Sequence, residues 1–99
     1  MKTVFEAISS DIRRKILVYL VSSERTSGEI AELFDVSGPA ISQHLAVLEG
    51  AGLVRSERRA RYVYYRLVPD HLTSELQSFV EEIRPPSAAI DAKPARRRK

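Results

Sequence analysis

Apolar residues recur at three- and four-residue spacing over much of the chain, which predicts helices. Ser9 or Ser10 caps the second of these helices, and residues 22–25 form a polar loop. Thr26 begins the third helix, because Glu29 follows it at the spacing of a capping box. Val4, Phe5 and Ile8 mark the first helix. The residues predicted to face the core are Ile12, Ile16, Leu17, Leu20 and Val21 in the second helix and Ile30, Leu33 and Phe34 in the third.

The stretch from Ser37 to Gly52 predicts a fourth helix with a defined beginning and end. Ser37 or Gly38 caps its N-terminus, and Pro39 fits the first turn, where its missing N–H costs nothing. Gly52 supplies the left-handed residue that ends many helices. The buried stripe is Ile41, Leu45 and Leu48, and the opposite face begins with Ala40, Ser42 and Gln43. This outer face is small or neutral until an acid, Glu49, follows in the last turn.

Beyond the fourth helix the pattern changes to two short runs typical of strands, residues 53–58 and 62–67. They predict a β-hairpin with a basic tip at residues 59–61. Ala60 is an awkward tip residue if the turn needs a positive φ, which only glycine adopts cheaply.

A last helix begins at Pro69, which suits a first turn. Its apolar stripe is long for a chain of this size, so part of it is left exposed unless a second chain covers it. The stripe consists of Leu72, Leu76, Phe79, Val80 and Ile83. Residues 84–99 follow without any apolar period, and they predict a disordered basic tail.

Charge is distributed unevenly along the 99 residues, whose net charge is +3. Residues 84–99 hold six basic groups and one acid, whereas residues 1–83 hold ten basic and twelve acidic groups. Within residues 55–66, however, five arginines face a single glutamate. A concentrated basic patch on a mildly acidic domain indicates one surface for an anionic partner.

Composition excludes several classes of site. The chain has no cysteine, which excludes disulfides and thiolate metal sites. It has no apolar run of membrane-spanning length and no secretory pattern at its start, so we expect a cytoplasmic protein without a membrane partner. With two histidines and no phosphate-binding glycine loop, an enzyme is not expected, and we expect no cofactor.

Two short helices joined by about three residues, followed by a hairpin, predict a winged helix-turn-helix. The fold class is mainly α with a small β-hairpin. Residues 1–83 form the DNA-binding and dimerisation domain, and residues 84–99 form the tail. The residues predicted to contact double-stranded DNA are Ser37, Gly38, Pro39, Ala40, Ser42, Gln43 and His44 in the fourth helix and Arg58, Arg59, Arg61 and Tyr62 in the hairpin.

The residues of the fourth helix and of the hairpin are predicted to make different kinds of contact with DNA. Gln43 can address adenine in a bidentate way, and Ala40 can touch a thymine methyl group in the major groove. Gly38 allows a close approach of the backbone, while Ser37 and the helix N-terminus can hold a phosphate. The hairpin arginines bind phosphates or enter the adjacent minor groove.

The chain resembles the ArsR family of small bacterial transcriptional regulators over about residues 3–83. Three blocks carry the resemblance: DIRRKIL from Asp11, SGPAISQHLAVLEGAGLV from Ser37 and RYVYYRL from Arg61. Within the family the chain is most similar to the autorepressor group typified by SdpR. The resemblance implies a homodimeric repressor built through the first and last helices. The residues expected at that interface are Val4, Phe5, Ile8, Leu72, Leu76, Phe79, Val80 and Ile83.

Many members of the family release DNA when a metal binds. The positions of the best-known cysteine pair hold Thr26 and Gly28 here, so that site cannot exist. Another family site uses acids and histidines of the last helix, but Asp70 and His71 are adjacent and no second histidine follows. We therefore expect no metal site.

Several alternatives stay open on the sequence alone. His44 is either a packed structural residue or a phosphate contact, and Arg13, Arg14 and Lys15 form either a solvated face or a phosphate contact. The whole chain could instead be a winged-helix protein-interaction module, or a regulator that responds to an effector other than a cysteine-bound metal. The sequence identifies no small-molecule or protein effector.

Overall fold

The computed structural model describes residues 3–86, and the predicted tail lies outside the described residues from residue 87 onward. Five helices and three strands follow in the order α1 (Val4–Ala7), α2 (Asp11–Tyr19), β1 (Arg25–Thr26), α3 (Ser27–Phe34), α4 (Gly38–Gly50), β2 (Val54–Arg59), β3 (Tyr62–Leu67) and α5 (Pro69–Ile83). The strands form one antiparallel sheet in the order β1-β3-β2. The prediction of a mainly helical chain with a small hairpin is confirmed.

Side-chain caps define where the helices begin. Ser10 accepts a hydrogen bond from the Arg13 N–H, so the second of the two predicted caps is the one used. Thr26 and Glu29 form the predicted capping box, and Thr3 and Glu6 form another at α1. Each such cap satisfies N–H groups that the helix itself leaves unpaired.

The inner face of α4 lies at the centre of the core. Ile41, Leu45 and Leu48 are fully buried, as their spacing predicted. Burial of each side chain stabilises the fold by roughly 1.5–3 kcal/mol, so this face fixes the rotation of the helix. The core cluster consists of Val4, Ala7, Ile16, Leu17, Leu20, Ile30, Ile41, Leu45, Leu48, Ala51, Leu53 and Val54.

Two residues predicted to face the core are exposed instead. Val21 is 69% exposed because α2 ends at Tyr19, so Val21 lies beyond the helix. Leu33 is 53% exposed because α3 packs through Ile30 and Phe34, which leaves Leu33 outside the contact.

The polar loop predicted at residues 22–25 ends in a short strand that the sequence did not indicate. In β1, Arg25 lies opposite Tyr65 and Thr26 lies opposite Tyr64, so this segment pairs with the free edge of β3. A two-residue strand carries too few residues for an alternating pattern to be visible, and β1 is recognisable only from its pairing.

Tight backbone conformations occur at the predicted boundaries. Gly52 has a φ of 79° just after α4, as expected for the residue that ends a helix. Ala60 has a φ of 56° at the hairpin tip, so the turn does need the positive φ that alanine adopts at a cost. Asp35, which follows α3, has a φ of 54° and turns the chain toward α4.

Candidate nucleic-acid interface

The beginning of α4 leaves one N–H group available to an outside partner. Ser37 Oγ accepts a hydrogen bond of 3.2 Å from the Ala40 N–H, and Pro39 has no N–H. Within the first turn, only the N–H of Gly38 is left for a phosphate. Ser37 therefore acts as the N-cap through its oxygen, while its hydroxyl hydrogen is left to donate, and the phosphate contact of Ser37 stays a prediction.

Gly38 is not required by the packing of the fold. A Cβ built on Gly38 has no atom within 4 Å among the described residues, and its φ is not positive. Packing within the described chain does not explain a glycine at this position, whereas close contact with an outside partner would explain it. This placement fits the predicted close approach of the backbone to DNA.

The outer face of α4 carries two unpaired polar side chains. Ser42 and Gln43 are exposed, and neither side chain makes a hydrogen bond to any part of residues 3–86. Ala40 lies beside them and is half-buried. We call Ala40, Ser42 and Gln43 the recognition face. The geometry leaves its two polar members free to form hydrogen bonds with groups outside the chain.

The acid of α4 is directed away from the recognition face. Glu49 Oε2 accepts hydrogen bonds from the Ser56 hydroxyl at 2.8 Å and from the Ser56 N–H at 3.3 Å. The contact joins the end of α4 to β2. Burial, with a further contribution from Glu49, raises the pKa of Tyr65 on the neighbouring strand. The negative charge of the helix is thus held at the base of the hairpin.

His44 lies on α4 and is half-buried, with its side chain next to Arg13 of α2. Its Nδ1 lies 3.3 Å from Nη1 of Arg13, which also donates to two carbonyl oxygens at the end of α1. Arg14 likewise donates to Ile8 O at 2.6 Å. These contacts favour a packed structural role for Arg13, whereas Arg14 is exposed and lies on a solvated face with one bond to α1.

The hairpin arginines differ in how strongly the chain itself holds them. Arg59 forms an ion pair with Glu24, lies 3.5 Å from Glu57, and stacks over the Tyr64 ring with its guanidinium carbon 4.1 Å from the ring centre. The hydrogen bond to Glu24 is the main cause of the raised pKa of Arg59. Arg59 is therefore substantially neutralised by its own chain.

Arg58 and Arg61 are the more available cations of the tip. Arg58 is exposed and has no ion-pair partner within the described part of the chain, and Arg61 lies over the Tyr62 ring at 5.4 Å. Register places Arg59 opposite Tyr62, so these two share one face of the hairpin and Arg58 points to the other. The arginines of the predicted basic tip therefore lie on both faces of the hairpin.

A second surface is apolar and lies on α1 and α5. Phe5 and Phe79 pack edge to face with ring centres 5.4 Å apart, and both rings remain more than 40% exposed. Val80 is also exposed, and Ile83 is 63% exposed. Ile8, Leu72 and Leu76 are half-buried.

Val4 differs from the other residues expected at the dimer interface. It is only 4% exposed and belongs to the core of the single chain. The capping box at Thr3 begins α1 with Val4 turned inward, so it has no surface to offer a partner. We therefore leave Val4 out of the apolar surface, which consists of Phe5, Ile8, Leu72, Leu76, Phe79, Val80 and Ile83.

Residues 3–86 contain neither a membrane-spanning helix nor a cluster of metal ligands. No helix in this range is long and apolar enough to cross a membrane. No group of three or more histidine, aspartate or glutamate side chains in the same range is arranged to hold a metal ion.

Three contacts of this site were not predicted from the sequence: the Arg59–Glu24 ion pair, the Glu49–Ser56 hydrogen bonds and the Arg13–His44 hydrogen bond. Their partners are 35, 7 and 31 residues apart in the chain. No local pattern marks such pairs, because they depend on how the helices and the hairpin pack.

Comparison of the sequence with known proteins identifies the family of this chain. Residues 10–56, from the N-cap of α2 into β2, match the model for bacterial regulatory proteins of the ArsR family. The transcriptional repressor SdpR of Bacillus subtilis is 45% identical over 67 residues, which cover 68% of this chain and 74% of SdpR. The repressor SmtB of Mycobacterium tuberculosis is 38% identical over 69 residues, 70% of this chain but only 51% of SmtB.

Comparison of structures leads to the same family. The structure of HlyU from Vibrio cholerae superposes with a TM-score of 0.67 at 29% identity, covering 81% of this chain and 87% of HlyU. HlyU is named as a transcriptional activator. Its sequence is 32% identical to this chain over 78 residues, which cover 79% of this chain and 68% of HlyU. The predicted resemblance is confirmed: the chain belongs to the ArsR family of bacterial regulatory proteins and has their winged-helix fold.

Proposed function

We propose that this chain is a dimeric transcriptional repressor that binds a pseudo-palindromic operator through α4 and the hairpin. The observation that carries the proposal is the recognition face, where Ser42 and Gln43 project from a buried helix with no partner inside the described chain. Relatives named as repressors, SdpR and SmtB, support the direction of regulation.

The binding scheme follows from the size of the grooves. The first two turns of α4 enter the major groove, where Gln43 and Ser42 hydrogen-bond base edges and Ala40 contacts a thymine methyl group. The Gly38 N–H donates to a phosphate beside the helix. Arg58 and Arg61 bind phosphates or the adjacent minor groove, and Tyr62 lies beside Arg61 at the same tip.

The apolar surface of α1 and α5 provides the second part of the proposal. A second copy that covers Phe79, Val80 and Ile83 removes a large exposed apolar area from water. For both copies of α4 to reach one duplex, the two-fold axis of the dimer has to place them on the same side. The operator then has two half-sites separated by about one helical turn or a multiple of it.

Selection of duplexes from a random pool tests the proposal. The full chain is immobilised, bound duplexes are amplified over several rounds, and the enriched sequences are read. We expect an inverted repeat whose half-sites lie about one helical turn or a multiple of it apart. A pool that stays random, or that enriches one unrepeated site bound by a monomer, contradicts the proposal, and the former result favours a protein-interaction module.

A further inference from the structure

Arg13 connects three helices through its guanidinium group. It lies half-buried on α2, and its Nε donates to Ala7 O at 2.7 Å while Nη2 donates to Glu6 O at 3.1 Å. The bond to Ala7 O satisfies a carbonyl group at the end of α1, a helix of only four residues, whereas Glu6 O also accepts from the N–H and hydroxyl of Ser9. The remaining nitrogen, Nη1, lies 3.3 Å from Nδ1 of His44 on α4.

The chemistry of arginine determines where the proton of His44 lies. A guanidinium has only donors and does not lose its proton in proteins, so Nδ1 of His44 must be the acceptor in this contact. A neutral imidazole whose Nδ1 accepts carries its proton on Nε2. His44 is therefore held as a donor on the side that faces away from Arg13.

The donor side of His44 is open. Within residues 3–86, Nε2 makes no hydrogen bond and is not among the buried atoms that lack a partner, and the His44 side chain lines a shallow cleft. Arg13, Gln43, His44, Ala46 and Val47 line this cleft. Because Gln43 belongs to the recognition face, a group that enters the cleft lies next to the base edge that Gln43 addresses.

We propose that Arg13 is a positioning residue for DNA binding, which holds His44 with its Nε2–H ready to donate to a backbone phosphate beside the recognition face. The inference rests on the proposed function and assigns to Arg13 a role that it exerts through His44, although its own side chain also lines the cleft. It also combines the two alternatives for His44, the structural role and the phosphate contact. Nδ1 accepts from Arg13 inside the chain, and Nε2 donates to the phosphate.

Arg14 offers a matched control on the same helix. Its Nη1 donates to Ile8 O at the end of α1, and its Nη2 lies 3.5 Å from Asp11, but it forms no hydrogen bond or ion pair with the described residues of α4. A variant at Arg14 therefore disturbs the same helix end without affecting His44. If Arg13 only supports α1, variants at the two positions affect DNA binding equally.

The test combines a double-mutant cycle with a measurement of the His44 proton. Affinity for the selected duplex is measured at fixed salt for Arg13→Gln, His44→Phe, the double variant and Arg14→Gln. We expect each Arg13 and His44 single variant to bind about tenfold more weakly, and the double variant to bind no more weakly than either. Arg14→Gln should bind like the wild type, and His44→Gln, which keeps a donor near the Nε2 position, should retain most of the affinity.

The outcomes distinguish this inference from the proposed function. Losses that multiply in the double variant, or an equal loss in Arg14→Gln, overturn the role of Arg13 while the repressor proposal stands. A wild-type chain that enriches no duplex overturns both.

Nitrogen-15 NMR of the wild-type chain tests the inference independently of how the variants fold. We expect the proton of His44 on Nε2 and none on Nδ1. A proton on Nδ1 would overturn the inference even if Arg13→Gln failed to fold.

Discussion

At the scale of single residues, the polar side chains of α4 and its cap fall into two sets. Some form hydrogen bonds within the described chain, and others form none. Ser37 and Glu49 have polar partners within the chain, at Ala40 and Ser56. Ser42 and Gln43 have none among the described residues, although they lie between those two. All four residues are exposed, so burial does not account for the difference, and the two unpaired side chains mark the face whose hydrogen-bonding groups are available to DNA.

Gly38 allows a test in which the fold and DNA binding respond in opposite directions. A Cβ at Gly38 meets no atom of the chain within 4 Å, so Gly38→Ala should leave the free energy of unfolding unchanged or raise it by up to about 1 kcal/mol. The same methyl group separates the Gly38 N–H from a phosphate, and we expect affinity for the selected duplex to fall about tenfold. Chemical denaturation and fluorescence anisotropy measure the two effects.

Gly50 is the control for this substitution. It lies at the other end of α4, is exposed, and a Cβ built on it likewise meets no atom of the described chain within 4 Å. Gly50→Ala should keep wild-type affinity for the duplex. If Gly38→Ala binds as tightly as Gly50→Ala, the backbone at Gly38 does not approach DNA closely.

At the scale of the elements, the hairpin is tied to the body of the domain by a charge pair. Glu24 precedes β1 and binds Arg59 at the end of β2, so the hairpin tip is joined to the loop before the third helix. Both side chains are more than a third exposed, and such a pair contributes little to stability. Its main effect is on the charge that the hairpin presents to DNA.

Glu24→Gln should therefore strengthen binding to DNA of random sequence. Removal of the carboxylate frees Arg59 to neutralise a phosphate, and each added phosphate contact steepens the dependence of log affinity on log salt by about 0.9. We expect the salt slope to steepen by up to this amount, while the free energy of unfolding changes little because the ion pair is exposed. Titrations at several salt concentrations measure the slope.

Arg59→Ala provides the complementary measurement. Because Glu24 already neutralises Arg59, loss of this arginine should reduce the salt slope by less than loss of Arg58 does. An unchanged or shallower slope in Glu24→Gln would show that the ion pair holds the hairpin in its binding position and does not compete with phosphate.

At the scale of the whole molecule, the apolar surface on α1 and α5 is exposed in the single chain, and the proposed dimer covers it. Ile83→Glu places a charge on a side chain that is 63% exposed, so it should not disturb the core of the single chain. We expect it to convert a dimer into a monomer in analytical ultracentrifugation and to weaken operator binding strongly.

Leu33→Glu is the matched control, because Leu33 is also exposed but lies on α3, away from the apolar surface. It should leave the chain dimeric. A wild-type chain that sediments as a monomer at micromolar concentration, or a dimer that survives Ile83→Glu, contradicts an interface on α1 and α5.

The sequence was sufficient for features that depend on residues close together in the chain. The apolar period of α4, the capping box at Thr26 and the two strand-forming runs of the hairpin each lie within a few residues, and all are found in the structure, with β2 one residue later than predicted. Features that depend on packing were missed, including β1, the burial of Val4 and the contacts of Arg13 and Glu24. Each of these requires knowing which elements lie side by side, which periodicity does not encode.

The most direct test compares Gln43→Ala with Arg58→Ala on the selected duplex and on a random duplex of equal length. We assign sequence preference to α4 and general affinity to the hairpin. Gln43→Ala should therefore lower affinity for the selected duplex by about tenfold or more and leave affinity for random DNA nearly unchanged. Arg58→Ala should weaken binding to both duplexes by similar factors and reduce the salt slope by about one. Equal losses on both duplexes for Gln43→Ala would contradict the central claim that this face of α4 reads the operator.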